Sequence, residues 1–369
     1  FYDVDRFHMT PLRIDNLQKL VLPKQKMSPV HSIQWHPRDI GTILVSYSHC
    51  AVQYSLSSGA IKNAFIYKLT PGCKGFEFLN NFETGGKKKL FGSVKEVICR
   101  MREAHYHPNG LHVVTAHDDG SLVFFDANDG TLLQARTMKD TYLHLQGPSV
   151  HPESSRELKL AWVTGQDPED TRILVSGSSE GHPDVIEVLD LGFTLKYTLT
   201  SHEKQGDFYA RPAASTNKLL VKFNRRLQSE GAAEHIVKLL PIAAEGQPYF
   251  QGGHNPSHVL VITNFGGVHL VQLEPTTTPI KIPPSLQSIC PPMTFSTVQT
   301  VRRVDWFGVV SNRRNGPGAD FSLVSGGAPV DRHFPRPLGS EDGVNDILIS
   351  GHEDGTVRCL DVTAGERQG

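Results

Sequence analysis

Short apolar runs alternate with polar punctuation along most of the chain, and the punctuation is rich in Gly, Asp, Ser and Pro. Runs of this kind, bounded by turn residues, predict strands joined by tight turns. They fall at Ile43–Ser46, Ala51–Leu56, Ala60–Leu69, Leu111–Ala116, Thr131–Arg136, Leu160–Val163, Ile173–Ser176, Val185–Asp190, Lys196–Thr200, Ile236–Leu240, Val259–Thr263, Val268–Leu273 and Asp346–Ser350. No long amphipathic segment interrupts them, so helix content is expected to be low.

Two of the runs lead into a repeat. His117–Gly130 reads HDDGSLVFFDANDG and His352–Gly365 reads HEDGTVRCLDVTAG. Each is a His, an acidic residue, Asp-Gly, Ser or Thr, an apolar strand ending in Asp, and a closing Gly. The Asp-Gly pair makes a hairpin turn, because Gly accepts positive φ without steric cost. A sheet of this kind cannot bury both faces alone, so such units stack as blades of a β-propeller. Weaker copies carry an inner-strand aromatic at Trp35, Tyr106, Trp162 and Trp306, with His36-Pro37 and His107-Pro108 as turns after the inner strand. Trp35, Tyr106 and Trp162 are 71 and 56 residues apart. A compact WD40 blade takes roughly 40–45 residues. The excess is assigned to insertions at 70–100, 201–235 and 275–292, with a Gly-, Pro- and Arg-rich irregular stretch at 312–343. The fold class expected is all-β, a propeller of degenerate WD40 blades spanning 1–311 and resuming at 344–369. Phe1-Tyr2-Asp3 parallels Phe124-Phe125-Asp126, so about five blade units are expected, with partial blades at both ends.

Composition narrows the functions. The 369 residues suit about two ordinary domains or one large β fold. Basic residues number 37 against 38 acidic, a net charge of −1. That balance argues against a generic nucleic-acid binder, which needs a basic excess. No apolar run is long enough to cross a membrane as a helix, and residues 1–20 carry Asp3, Asp5 and Asp15 in place of a signal peptide's apolar core. Five scattered cysteines, with no C-x-x-C pair, indicate neither a zinc knuckle nor a disulfide framework.

The residue constellations read as structure before chemistry. The four aromatics are expected in blade cores. Asp126 and Asp361 are expected to bond donors at strand ends, and Gly120, Gly130, Gly355 and Gly365 to make turns. His105, His107, His112 and His117 lie close in sequence but lack a metal-ligand motif. Ser176–Gly181 is Gly-rich yet closes a hairpin, so no helix N-terminus backs a phosphate there. No nucleophile elbow or phosphate loop is present. No catalytic residue, cofactor or metal is expected. Lys87, Lys88 and Lys89 are candidates for anionic lipid contact. Arg302 and Arg303, with Arg225-Arg226 and Arg313-Arg314, are candidates for pairing an acidic partner.

Three stretches carry a resemblance: SIQWHPRDIGTILVSYS at 32–48, YHPNGLHVVTAHDDGSLVFFDANDGTLLQAR at 106–136 and PYFQGGHNPSHVLVITNFG at 248–266. They resemble the lethal giant larvae/tomosyn family, closest to its fungal exocytic branch. The resemblance implies two tandem seven-bladed propellers, this chain covering the later part of the first and 344–369 nearing the junction with the second. It implies a non-enzymatic scaffold of exocytosis and cell polarity, acting in vesicle tethering and fusion. The implied partners are SNARE proteins of the syntaxin and synaptosome-associated types and a secretory Rab GTPase, with exocyst or myosin components as further candidates. The implied place is the cytoplasm, peripherally at the plasma membrane. Two alternatives stand beside it: a WD40 adaptor of another pathway, and a propeller hydrolase with paired carboxylates on its channel.

Overall fold

In the computed structural model the described residues are 2–3, 8–10, 13–77, 79–80, 96–149, 158–178, 182–193, 201–212, 216–221, 234–243, 253–273, 291–303, 305–306 and 343–363. Tyr2–Asp3 (β1) pairs antiparallel with His8–Met9 (β2), and a four-residue helix, Gln18–Val21 (α1), follows.

Five antiparallel meanders then succeed one another. The first blade is Ser32–Trp35 (β3), Thr42–Ser46 (β4), Ala51–Ser55 (β5) and Ala60–Phe65 (β6). Lys68–Leu69 (β7) and Val97–Ile98 (β8) form a separate two-stranded ladder. The expected strand Ala60–Leu69 therefore breaks in two. The second blade is Met101–Tyr106 (β9), His112–His117 (β10), Leu122–Asp126 (β11) and Leu132–Arg136 (β12). The third is Lys159–Thr164 (β13), Asp170–Ser176 (β14), Val185–Phe193 (β15) and Thr216–Leu220 (β16), with the helix His202–Tyr209 (α2) ahead of its last strand. The fourth is Ile236–Ala243 (β17), Pro256–Thr263 (β18) and Val268–Gln272 (β19). The fifth is Met293–Arg302 (β20), Val344–His352 (β21) and Val357–Asp361 (β22).

The alternation of side chains along each strand explains the stacking. In β10, Val113 joins the core shared with the first blade, while Val114 joins the core shared with the third. In β11, Val123 and Phe125 face one way, Leu122 and Phe124 the other. A strand buried on both faces needs an unbroken apolar run, and Leu122-Val123-Phe124-Phe125 supplies one. Further cores join the third blade to the fourth and the fourth to the fifth.

Two expectations need correction. The fourth strand of the third blade is Thr216–Leu220, not Lys196–Thr200. Residues 194–200 lie outside the described residues, and the strand that closes the sheet comes from the 201–235 stretch read as insertion. Trp306 is not an inner-strand aromatic either. The inner strand is Met293–Arg302, and Trp306 follows it, half-buried, in a helical turn. The β-branched alternation of Thr297, Val298, Thr300 and Val301 fits a strand better than the Asp305-Trp306 pair does.

Helix α2 docks on the outer strands of the second blade. Ser201 caps it, accepting from the Lys204 N–H. A Cβ at Gly206 would stand 2.6 Å from the Leu133 carbonyl oxygen, so only glycine allows that approach. Phe208 and Tyr209 are buried, and Tyr209 stacks on Phe124 at 4.2 Å between ring centroids. The fully buried Arg136 closes the far end. Its guanidinium donates to the carbonyls of Tyr209 at 2.9 Å, Arg211 at 2.6 Å and Met138 at 3.2 Å, and through Nε to Thr137 at 2.9 Å. Burial without a carboxylate lowers its pKa to about 10.

Candidate functional site

The two strong repeats share their turn hydrogen bonds. Thr115 Oγ1 lies 2.8 Å from His117 Nε2, and Ser350 Oγ 2.9 Å from His352 Nε2. Asp119 accepts from the Ser121 N–H at 3.0 Å, as Asp354 does from Thr356 at 2.9 Å. Gly120 and Gly355 both sit at positive φ, 85° and 78°. Asp126 accepts from the Asn128 N–H at 2.7 Å, and Asp361 from Thr363 at 3.0 Å. These residues hold turns.

The His-Pro turns do more than close a strand. His36 Nδ1 accepts from the Arg38 N–H at 3.1 Å, and His107 Nδ1 from the Asn109 N–H at 3.0 Å. The proton is thereby placed on Nε2. His36 Nε2 reaches the Gly110 carbonyl of the second blade at 3.1 Å, and His107 Nε2 reaches Thr171 of the third at 2.8 Å. Each histidine ties its own blade to the next.

A polar belt crosses the inner strands. The Gln34 amide of β3 donates to His105 Nδ1 of β9 at 3.0 Å. His105 Nε2 lies 3.3 Å from Glu103 Oε2, which also accepts from the Leu160 N–H of β13 at 2.9 Å. Lys159 Nζ stands 3.6 Å from Glu103 Oε1. Burial alone would raise the Glu103 carboxyl. The His105 hydrogen bond and the charges of Lys159 and Lys238 outweigh it and bring the pKa to about 2. Beside this belt Arg102 bonds Asp118, and Arg100 lies 4.0 Å from the same carboxylate. Burial, then Arg100, Arg102 and Lys159, lower the nearby His31. The arrangement is a run of fixed charges linking three blades, with the Glu103 carboxylate held as an anion and not as a proton donor. Sequence reasoning missed Glu103 and Lys159. Glu103 sits within its inner strand beside Arg102, and Lys159 opens the next one after Arg156-Glu157, so nothing in the local pattern set either apart from ordinary surface charges.

The other candidates are dispersed. Tyr106 and Trp162 are buried, Tyr106 edge-on to His36 and Trp162 edge-on to His107 and Phe124. Trp162 Nε1 donates to Thr171 Oγ1 at 2.8 Å. Trp35, expected in a core, is 50% exposed. It shares a sheet face with Ile33 and Ile43, and residues 13–28 cover the Ile43 side of that face but not Trp35. His105, His107, His112 and His117 do not converge, since His105 binds Gln34 and Glu103, His107 Thr171, His112 Tyr209 and His117 Thr115. Arg302 bonds Asp305 twice, at 2.7 and 3.1 Å, and Arg303 bonds Asn345 at 3.2 Å. Lys87, Lys88, Lys89, Gly365 and the pairs Arg225-Arg226 and Arg313-Arg314 lie outside the described residues. Cys50, Cys73, Cys99 and Cys359 are free thiols. Among the described residues no helix is long and apolar enough to cross a membrane.

The chain is 32% identical to "Lethal(2) giant larvae protein homolog SRO77" of Saccharomyces cerevisiae over 376 aligned residues, which cover 99% of this chain and 34% of that protein. It is 21% identical over 318 residues to an uncharacterized protein of Schizosaccharomyces pombe, covering 84% of this chain and 29% of that one. The chain thus spans about a third of the length of these curated relatives. The WD40 domain of Toxoplasma gondii coronin is similar at a TM-score of 0.44 and 8% identity, over 89% of this chain and 55% of that one. No family model matches the sequence.

Proposed function

The chain belongs to the lethal giant larvae family, and from that premise we propose that it is part of a non-enzymatic scaffold regulating exocytosis. In this reading it binds plasma-membrane SNARE proteins of the syntaxin and synaptosome-associated types and a secretory Rab GTPase. It acts in vesicle tethering, fusion and cell polarity from the cytoplasm, peripherally at the plasma membrane. The observation that carries the reading is the 32% identity with the yeast relative, which runs over 99% of the chain and is not confined to one motif. Propeller blades alone leave the function open, because one fold serves many.

The physical picture supports recognition over chemistry. Stacked blades with interlocked inner strands make a rigid frame. Rigid frames present loops to partners at low ordering cost. The half-exposed Arg100 beside the inner-strand belt would favour acidic partner surfaces and speed encounter.

The test is a segment exchange. The region of the yeast relative that aligns with this chain is replaced by residues 1–369, and the chimera is passed over immobilised SNARE proteins of both types and over the Rab loaded with a GTP analogue or with GDP. Retained capture of a SNARE, with capture of the Rab only in its GTP form, is the expected result. A folded chimera that captures neither overturns the reading.

A further inference from the structure

We propose that Asp126, Asp129 and His202 form a binding site for a divalent transition metal of the zinc class, which fastens helix α2 to the second blade. The three side chains come from two places far apart in sequence. Asp126 ends β11, Asp129 lies in the turn after it, and His202 opens α2. Their ligand atoms all lie within 4.8 Å of one another.

The donors are already oriented. Asp126 Oδ1 accepts from the Asn128 N–H at 2.7 Å, and Asp129 Oδ1 from the Thr131 N–H at 2.9 Å. Each carboxylate is therefore held by its own turn and offers its second oxygen to His202. Outer bonds of this kind set the direction of metal-ligating groups. His202 is placed independently, because Gly206, Phe208, Tyr209 and the Arg136 clamp fix the helix that carries it.

An ordinary ion pair leaves this geometry incomplete. His202 Nε2 is 3.0 Å from Asp129 Oδ2 and 3.7 Å from Asp126 Oδ2. A single N–H at Nε2 serves the nearer oxygen and cannot serve both. Asp126 is the more telling partner: its side chain is only 10% exposed. Among the described residues no N–H or O–H stands within hydrogen-bond distance of its Oδ2. That oxygen faces the His202 ring from a largely enclosed side chain, a position open to a cation. A tetrahedral zinc ion with bonds of 2.0–2.2 Å separates neighbouring ligand atoms by about 3.4 Å. The two separations to His202 lie on either side of that value and the two carboxylate oxygens lie within 4.8 Å of each other, so side-chain adjustments of about an ångström or less at each ligand would complete the site. The side chains of Asp129 and His202 are about half exposed, which leaves an entry path and a fourth position for water. One imidazole and two carboxylates suit a borderline divalent ion better than magnesium.

The repeat supplies an internal control. Asp361 holds the place of Asp126 in the fifth blade, but its Oδ2 accepts from the Asn345 amide at 2.6 Å. Ala364 stands where Asp129 does. The second acid and the histidine are thus additions to a turn that folds without them.

The proposal is independent of the partner reading and is tested on the chelator-treated chain by calorimetric titration with zinc chloride, with magnesium chloride as comparison. The variants are His202→Ala and Asp129→Asn, both at half-exposed positions and so compatible with folding. The expected result is uptake of one zinc per chain, weakened at least about tenfold in each variant, with magnesium ineffective. Zinc should raise the unfolding temperature and slow amide exchange over residues 201–209 in the parent chain but not in the variants, and cobalt(II) should give the visible bands of a tetrahedral site. No zinc uptake, uptake unchanged in both variants, or equal binding of magnesium would overturn it.

Discussion

His107 Nε2 lies 2.8 Å from the Thr171 hydroxyl, across the boundary between the second and third blades. The same hydroxyl accepts from Trp162 Nε1 at 2.8 Å, so one small side chain satisfies two buried donors. Thr171→Val is therefore expected to strand both N–H groups and to destabilise the fold by about 2–4 kcal/mol. Trp162→Phe removes one donor, keeps most of the ring and leaves the His107 bond in place, so it should cost less, about 1–2 kcal/mol. Urea denaturation of the two variants checks the order. Equal losses would mean that the hydroxyl is not the shared acceptor.

Glu103 gives an acid limb to the stability curve. Its carboxyl is held at about 2 in the folded chain, below the ordinary value of 4.5. A depressed folded pKa stabilises the fold above the unfolded value, and that contribution is lost as pH falls from about 4.5 towards 2. Glu103→Gln should lower stability at pH 7 by roughly 2–4 kcal/mol, because it removes the anion facing Lys159 and Lys238. It should also flatten the pH dependence below about 4.5. Denaturation midpoints measured from pH 7 to 3 would show both.

A second limb lies at higher pH and comes from histidines. Burial pushes His117 down to about 3 and His144 to about 4, so both are neutral in the fold. The unfolded chain takes up their protons near 6.5, so stability should fall as pH drops from about 6.5 towards 4, before Glu103 contributes. His144→Gln removes one of these groups and should reduce the slope from about pH 6.5 down to about 4, where the folded imidazole itself takes up its proton. An unchanged upper slope would show that His144 is not a neutral buried group.

Gly206→Ala separates helix propensity from docking. In a free helix the change stabilises by about 1 kcal/mol. Here the new Cβ would press on the Leu133 carbonyl oxygen at 2.6 Å, with backbone on both sides of the contact. The variant should lose about 1–3 kcal/mol. Amide exchange should quicken over residues 201–212 while β3 to β6 keep their protection. Uniform protection across the chain would mean that α2 is not held by this approach.

Legibility in the sequence followed the range of the interaction. The Asp-Gly turns were readable because Gly120 and Gly355 carry their backbone preference with them. The His-Pro turns were placed correctly, yet the role of their histidines was hidden, since Gly110 and Thr171 lie 74 and 64 residues away. Trp35 was misjudged for the same reason. Its strand position was right, but burial depends on what packs over the face, and Ile33 beside it is exposed as well. The closing strand of the third blade was misplaced because Lys196–Thr200 and Thr216–Leu220 are both short strand-like runs, and only pairing with β15 distinguishes them.

The sequence by itself determined the blades: the turn chemistry of its Gly and Asp residues and the two-sided apolar runs admit little but stacked antiparallel sheets. It also carried the family likeness, spread along the chain. The tertiary structure decided what those blades share: the Glu103 belt, the His107–Thr171 tie, the Arg136 clamp and the meeting of His202 with Asp126 and Asp129. Turns and strands form from neighbours in sequence, whereas a buried charge acquires its partner only when chain closure brings distant segments together, and no local pattern records that partner.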